Sequence, residues 1–254
     1  MPDPVPARPA ATVLLLRDGA EGLEVFMVAR DRRIEFASGA LVFPGGAVEP
    51  GDFAIAADPA QGGPGAPAES NARALRVAAL RETFEECGVL LARPRGAAGM
   101  IDGARCAAAR AAAAGRSFAD LLAAETLALA TDALTPFAHW ITPPIMSKRF
   151  DTHFFLAAAP ADQIALHDGA ESVASLWITP ARALAGAQAG AFTIVLPTRL
   201  NLAMLGRQRD VAAALAAAQA RRIVTVEPAT TKTPTGWALT LPVEAGYGVG
   251  PFEV

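Results

Sequence analysis

The sequence predicts an α/β fold built around a mixed sheet. Apolar strand-like and helical segments alternate irregularly along the chain, and there is no repeat of roughly 20 to 50 residues. Of the 254 residues, 52% are hydrophobic, so a large core can be buried. We therefore expect one domain over residues 1–254, with insertions.

The first predicted element is a β-hairpin, because two apolar segments flank a short polar turn. Periodicity indicates one long helix from about Ser70 to Gly88, where Leu75, Ala79, Leu80 and Phe84 form an apolar stripe and Gly88 is a natural end. Other predicted strands are 40–43, 137–142, 152–157, 175–178 and 237–241, and the hairpin strands are 11–16 and 23–29. Other predicted helices are 180–185 and 200–221, with a largely helical stretch at 102–132.

Charge and composition exclude several classes of protein. The 22 basic residues do not outnumber the 25 acidic ones, which argues against a nucleic-acid partner. Two cysteines cannot form a disulfide framework in a chain this long, and no signal peptide or uncharged stretch of membrane-spanning length is visible. We expect a cytoplasmic protein with no membrane partner.

Three glutamates make the predicted long helix chemically informative. Glu82, Glu85 and Glu86 lie at i, i+3 and i+4, so they share one helical face near its C-terminal end. Their mutual repulsion and the helix dipole are both unfavourable there, and a hard divalent cation would offset that cost. A solvated acidic face is the alternative.

These residues resemble the Nudix box, G-x5-E-x7-R-E-U-x-E-E-x-G-U, where U is bulky and aliphatic. Gly46 and Asp52 match the first part, with Asp in place of Glu. Residues 81–89 match the second part, except that Thr83 occupies the first aliphatic position. Twenty-eight residues separate Asp52 from Arg81 where the pattern has seven, which indicates an insertion at about 53–73. A second, helical insertion is expected at about 93–135.

The resemblance implies a Nudix α/β/α sandwich and a Mg²⁺- or Mn²⁺-dependent hydrolase of nucleoside diphosphate derivatives. It implies that Glu85 and Glu86 are the principal metal ligands, that Glu82 is a further ligand or the base, and that the Gly45 carbonyl contributes to the metal site. It also implies that Arg81 orients the glutamates. A further carboxylate is expected from a loop outside the box, where Glu171 is the candidate and Asp168 the fallback. A nucleotide substrate is implied as partner, and a homodimer is possible.

A second pattern concerns the substrate. Arg30, Gly39 and the segment Phe43-Pro44-Gly45-Gly46 have the spacing found in coenzyme A-hydrolysing Nudix enzymes, L-L-T-x-R-x4-R-x3-G-x3-F-P-G-G. Glu35 stands where the second Arg is expected, but Arg32 and Arg33 are close by. The insertions resemble those of the peroxisomal coenzyme A diphosphatase branch. The substrate-binding candidates are Arg30, Arg32, Arg33, Gly45 and Gly46.

Three functions remain open at this point. The first is a coenzyme A or acyl-coenzyme A diphosphatase that releases 3′,5′-ADP and the phosphopantetheine part. The second is a pyrophosphatase for ADP-ribose or a nucleotide sugar, and the third is a non-catalytic binding module with a Nudix fold. His139, His153 and His167 are scattered along the chain, so no ligand role is assigned to them.

Overall fold

The sheet and its flanking helices follow the order expected of an α/β domain. The computed structural model describes residues 5–30, 39–64, 69–167, 172–234 and 236–253. The strands are β1 (Arg8–Gly19), β2 (Gly22–Arg30), β3 (Leu41–Val42), β4 (Gly45–Ala47), β5 (Ala92–Pro94), β6 (Leu127–Leu129), β7 (Thr135–Ile141), β8 (Phe150–Ala158), β9 (Ser172–Ile178), β10 (Thr225–Val226), β11 (Ala229–Lys232), β12 (Trp237–Thr240) and β13 (Phe252–Glu253). The helices are α1 (Pro50–Ala57), α2 (Ser70–Cys87), α3 (Gly103–Ala112), α4 (Phe118–Ala124), α5 (Pro180–Gln188), α6 (Leu196–Leu205) and α7 (Val211–Ala220).

The central sheet is mixed and has eight strands. Its main order is β10-β7-β8-β1-β2-β3, while β4 pairs with β1 and β9 pairs with β2. Strand β1 is long enough for one edge to serve two partners, since residues 10–12 pair with β4 and residues 16–19 pair with β2. Its other edge runs parallel to β8.

The side chains of β1 point alternately to the two faces of the sheet, which explains why helices cover both faces. Val13 and Leu15 pack into a core with helices α1 to α4, while Leu14 and Leu16 pack into a second core with α5 to α7. Side chains of successive strand residues point to opposite faces, so an uninterrupted apolar strand requires helices on both sides. The result is the predicted α/β/α sandwich.

Most predicted elements are confirmed, and one is wrong. The predicted helix at 200–221 is two helices, because α6 ends at Leu205 and α7 begins at Val211, capped by the Asp210 side chain. An aspartate that accepts a backbone N–H at the start of a helix favours a new helix over a continuous one. Two small sheets, β5-β6 and β11-β12-β13, were largely missed, since their strands are at most four residues long.

The described part of the first insertion beyond α1 forms hydrogen bonds with the second insertion. The carbonyl of Gln61 accepts the N–H of Leu129, and the Thr131 hydroxyl donates to the carbonyls of Gly62 and Pro64. Residues 61–64 are therefore anchored to the second insertion, while 65–68 lie outside the described residues.

Within the described ranges, no helix has both the length and the apolar character needed to cross a membrane. Cys87 and Cys106 are buried free thiols.

Candidate active site

Helix α2 carries the three glutamates on a rigid support. Leu75, Ala79, Leu80 and Phe84 are buried against the sheet as predicted, and the helix ends at Gly88, which has the left-handed φ of 68°. Thr83 fits the aliphatic position of the box because it is fully buried and its hydroxyl donates to the Ala79 carbonyl at 2.7 Å. A buried hydroxyl satisfied within the helix avoids the cost of an unpaired polar group.

The two halves of the box meet through a buried ion pair despite the insertion. Arg81 Nε lies 2.9 Å from Asp52 Oδ1 and Arg81 Nη2 lies 3.1 Å from Asp52 Oδ2, and Asp52 is fully buried. Asp52 sits in the first turn of α1, where its carboxylate also accepts the N–H of Glu49. This geometry explains why an acid is needed at Asp52, a role that the sequence did not reveal.

Arg81 also contacts two of the glutamates. Its Nη1 lies 2.9 Å from Glu82 Oε1 and 2.8 Å from Glu85 Oε2, and its Nη2 donates to the Ala47 carbonyl. Burial alone would lower the pKa of Arg81, but the hydrogen bond to Asp52 and the nearby carboxylates raise it instead. Arg81 therefore stays charged and holds Glu82 and Glu85 in place.

The Gly45-Gly46 segment lies against the glutamates as strand β4. The N–H of Gly45 donates to Glu86 Oε2 at 3.0 Å. A Cβ atom at Gly46 would overlap the carboxylate of Glu82, so this strand approaches the helix only because the residue has no side chain.

Four carboxylates gather at the meeting point of α1, α2 and β4. Asp52, Glu82 and Glu85 contact Arg81, and Glu86 accepts the N–H of Gly45. Burial raises the pKa of Glu82 to about 7, outweighing the opposing effect of Arg81, and burial raises the pKa of Glu85 as well. A group of carboxylate oxygens in which burial disfavours the charged form fits a hard divalent cation.

Four of the other predicted site residues lie outside the residues that the structure describes. Residues 31–38 are not described, which leaves out Arg32 and Arg33, and neither are 168–171, which leaves out Asp168 and Glu171.

The histidines are far apart in the sequence and were given no ligand role, but the fold brings His139 and His153 together. Among the described residues, the only group of three His, Cys, Asp or Glu ligand atoms within 4.8 Å of one another is His139, Asp151 and His153.

A family model described as the NUDT19 Nudix domain matches residues 56–204. That match spans more than half of the chain. The chain belongs to the Nudix family. It is a Nudix hydrolase, and Nudix hydrolases are generally dependent on divalent metals and act as pyrophosphatases on nucleoside diphosphate derivatives.

One of the similar solved structures supports this assignment, and two more distant ones are reported beside it. A Nudix hydrolase from Alicyclobacillus acidocaldarius is 32% identical, with 85% of this chain and 94% of that chain covered and a TM-score of 0.65. The Nudix domain of Shewanella oneidensis NrtR, solved with ADP ribose, is 12% identical over 76% of this chain and 82% of that chain, with a TM-score of 0.42. A C. elegans Ap4A hydrolase is 14% identical over 78% and 93%, with a TM-score of 0.40. The last two scores are too low to support any argument about this Nudix hydrolase.

Proposed function

We propose that this Nudix hydrolase is a coenzyme A or acyl-coenzyme A diphosphatase that releases 3′,5′-ADP and the (acyl-)phosphopantetheine part. The observation that carries the proposal is the match of residues 56–204 to the NUDT19 Nudix domain, the branch that the insertions resemble. The spacing from Arg30 through Gly39 to Gly46 adds support from the sequence.

In this proposal, Glu82, Glu85, Glu86 and the Gly45 carbonyl hold Mg²⁺ or Mn²⁺. The bound cation would neutralise the diphosphate and lower the pKa of a water molecule. Arg81 keeps Glu82 and Glu85 in position through its 2.9 and 2.8 Å contacts, and Asp52 keeps Arg81 in position. Glu82, as a further ligand or as the base, would face the water that the cation activates.

Substrate recognition is assigned to Arg30 at the end of β2, to Arg32 and Arg33 after it in the sequence, and to the Gly45-Gly46 strand. A 3′-phosphate on the ribose distinguishes coenzyme A from dephospho-coenzyme A. One charge-assisted contact from Arg30, Arg32 or Arg33 to that phosphate is worth about 1.5 to 3 kcal/mol, or roughly ten- to hundredfold in kcat/KM. Glu171, or Asp168 in its place, would complete the catalytic carboxylates.

The test is a substrate panel with products identified by mass spectrometry. Coenzyme A should be cleaved with a kcat/KM about ten- to hundredfold above that for dephospho-coenzyme A or ADP-ribose. Arg30→Ala should remove most of this preference and leave dephospho-coenzyme A cleavage nearly intact. Arg209→Ala, which changes an exposed arginine bonded to Asp210, is the matched control. A preference of the parent enzyme for ADP-ribose or a nucleotide sugar would contradict the proposal.

A further inference from the structure

A cluster of His139, Asp151 and His153 lies on strands β7 and β8, outside the glutamate helix. His139 and His153 are direct partners in the β7-β8 ladder, and their rings stack with centroids 4.0 Å apart. Asp151 precedes His153 by two residues, so both side chains project from the same face of β8. Asp151 Oδ1 lies 2.5 Å from His139 Nε2 and 3.8 Å from His153 Nε2.

We propose that these three side chains bind a transition-metal ion of the Zn²⁺ type, separate from the hard cation assigned to the glutamates. Two imidazole nitrogens and one carboxylate oxygen favour Zn²⁺, Co²⁺, Ni²⁺ or Cu²⁺, whereas Mg²⁺ prefers oxygen ligands alone. This inference rests on the cluster itself and does not depend on the substrate proposed above.

The two distances from Asp151 bracket the spacing of a tetrahedral ion, and the stacked imidazole rings must turn out of their near-parallel arrangement for both Nε2 atoms to face it. Zn²⁺ bonds of about 2.0 to 2.2 Å hold neighbouring ligand atoms about 3.3 Å apart. The two separations from Asp151 Oδ1, 2.5 and 3.8 Å, lie on either side of that value, so each needs a change of less than about 1 Å. The side chains of His139, Asp151 and His153 are 18%, 35% and 34% exposed, which lets an ion enter and leaves a coordination position for water.

A neighbouring hydroxyl already holds one ring in a ligating orientation. His139 Nδ1 lies 2.8 Å from Thr225 Oγ1 on β10, so the other nitrogen, Nε2, faces Asp151. Metal-binding histidines usually have such a partner on the second ring nitrogen, which fixes the ring plane. Without an ion, the same contacts form a hydrogen-bond network that links β10, β7 and β8.

The register places the cluster beside the candidate active site. His153 pairs with Ala11 on β1, and Ala11 pairs with Gly46 on β4, the residue that abuts Glu82. Residues paired in this way point to the same face of a sheet, and two strand spacings amount to about 10 Å. The proposed ion therefore lies on the face that carries the glutamates, and its three ligands form a group that includes none of them.

The test uses the metal-free full-length protein titrated with CoCl₂ or ZnCl₂ while excess Mg²⁺ occupies the glutamates. We expect one equivalent of Co²⁺ to bind with the visible absorption of a tetrahedral site, and Zn²⁺ to displace it. His153→Gln and Asp151→Asn should each weaken binding by at least about tenfold. His167→Gln, which changes a histidine bonded to Ser175, and Glu85→Gln should leave binding unchanged.

Circular dichroism of each metal-free variant checks that it folds. If Asp151→Asn does not fold, His153→Gln alone decides, because His153 is a third exposed and lies outside the short His139–Asp151 contact. Absence of Co²⁺ binding in the parent protein, or equal binding in folded His153→Gln, would overturn the proposal and leave the hydrogen-bond network as the role of the cluster. Loss of binding in Glu85→Gln would place the ion at the glutamates instead.

Discussion

At the scale of single residues, Glu85 and Glu86 differ in their surroundings but share an expected role. The Glu85 side chain is half exposed and contacts Arg81, while Glu86 is largely buried and accepts the N–H of Gly45. Both face the side of α2 on which the negative charge is concentrated. Their contribution is therefore expected to be to metal binding rather than to folding.

We predict that Glu85→Gln and Glu86→Gln each lower kcat by about two orders of magnitude or more, because each removes one metal-binding charge. Glutamine can still accept the Gly45 N–H, and less repulsion remains on the helix. The melting temperature in metal-free buffer should thus be unchanged or higher. Steady-state kinetics and thermal melts measure both effects, with Glu69→Gln at the far end of the α2 region as the control. A collapsed fold in either variant would contradict this assignment.

Asp52 should matter for stability as much as for activity. Asp52→Asn leaves the buried Arg81 without its fully buried counter-charge, and breaking a buried ion pair from one side costs about 3 to 5 kcal/mol. We expect the lower end of that range, because Glu82 and Glu85 still contact Arg81. Urea unfolding of Asp52→Asn, compared with the exposed Asp18→Asn, measures the difference. Equal midpoints would show that Asp52 does not stabilise the box.

At the scale of elements, the two insertions act together. Arg76 of α2 donates to the carbonyls of Thr131 and Leu134 in the second insertion, at 2.8 and 2.7 Å. Residues 61–64 of the first insertion bond to Leu129 and Thr131 of the same region. The second insertion thus packs on the helix that carries the glutamates, and residues 61–64 of the first insertion pack on the second.

Gly63 provides a test of that packing. Its φ is 75°, and a Cβ atom there would overlap the Leu129 carbonyl. Gly96 has a similar φ of 79° with nothing within 4 Å, so Gly96→Ala measures the backbone strain alone, about 1 kcal/mol. We predict that Gly63→Ala lowers the free energy of unfolding by at least about 1 kcal/mol more than Gly96→Ala does, as measured by urea titration.

Shortening residues 65–68 should be tolerated in the same assay, since loop-closure entropy changes slowly with length. A Gly63→Ala variant as stable as Gly96→Ala would show that the first insertion does not pack on the second.

At the scale of the whole molecule, metal binding should be visible as stability. A ligand that binds only the folded state stabilises it by about 2.7 kcal/mol at one hundred times its Kd. We predict that Mg²⁺ or Mn²⁺ in the millimolar range raises the melting temperature, that EDTA reverses the rise, and that the triple variant Glu82→Gln, Glu85→Gln, Glu86→Gln shows none. His153→Gln should keep the Mg²⁺ effect. If the cation stabilised the parent protein and the triple variant equally, its binding site would lie away from these glutamates.

Local patterns in the sequence were sufficient for much of the fold and for the glutamate helix. The apolar stripe of α2, the end at Gly88 and the apolar segments of β1, β7 and β8 depend on neighbours within a few residues, so they could be predicted directly. The division of 200–221 into two helices was missed, although Asp210 was a signal for a new helix start.

The long-range contacts could not be predicted in the same way. Asp52 meets Arg81 across 28 intervening residues, and His139 meets His153 through strand register. The spacing of Asp151 and His153 was the available signal for the cluster, but the predicted strand 152–157 began after Asp151, and the third member depends on which strands pair.

The sequence by itself thus determined the family resemblance, the sandwich architecture that this resemblance implies, and the carboxylate face of α2. The motif and the helical face both depend on residue types at short, fixed spacings. Only the tertiary structure decided that Asp52 anchors Arg81, that the first insertion packs on the second, and that two distant histidines share one aspartate. The physical reason is that sheet register and the packing of α1 on α2 bring distant residues together, and the free energy of those contacts belongs to the folded chain as a whole.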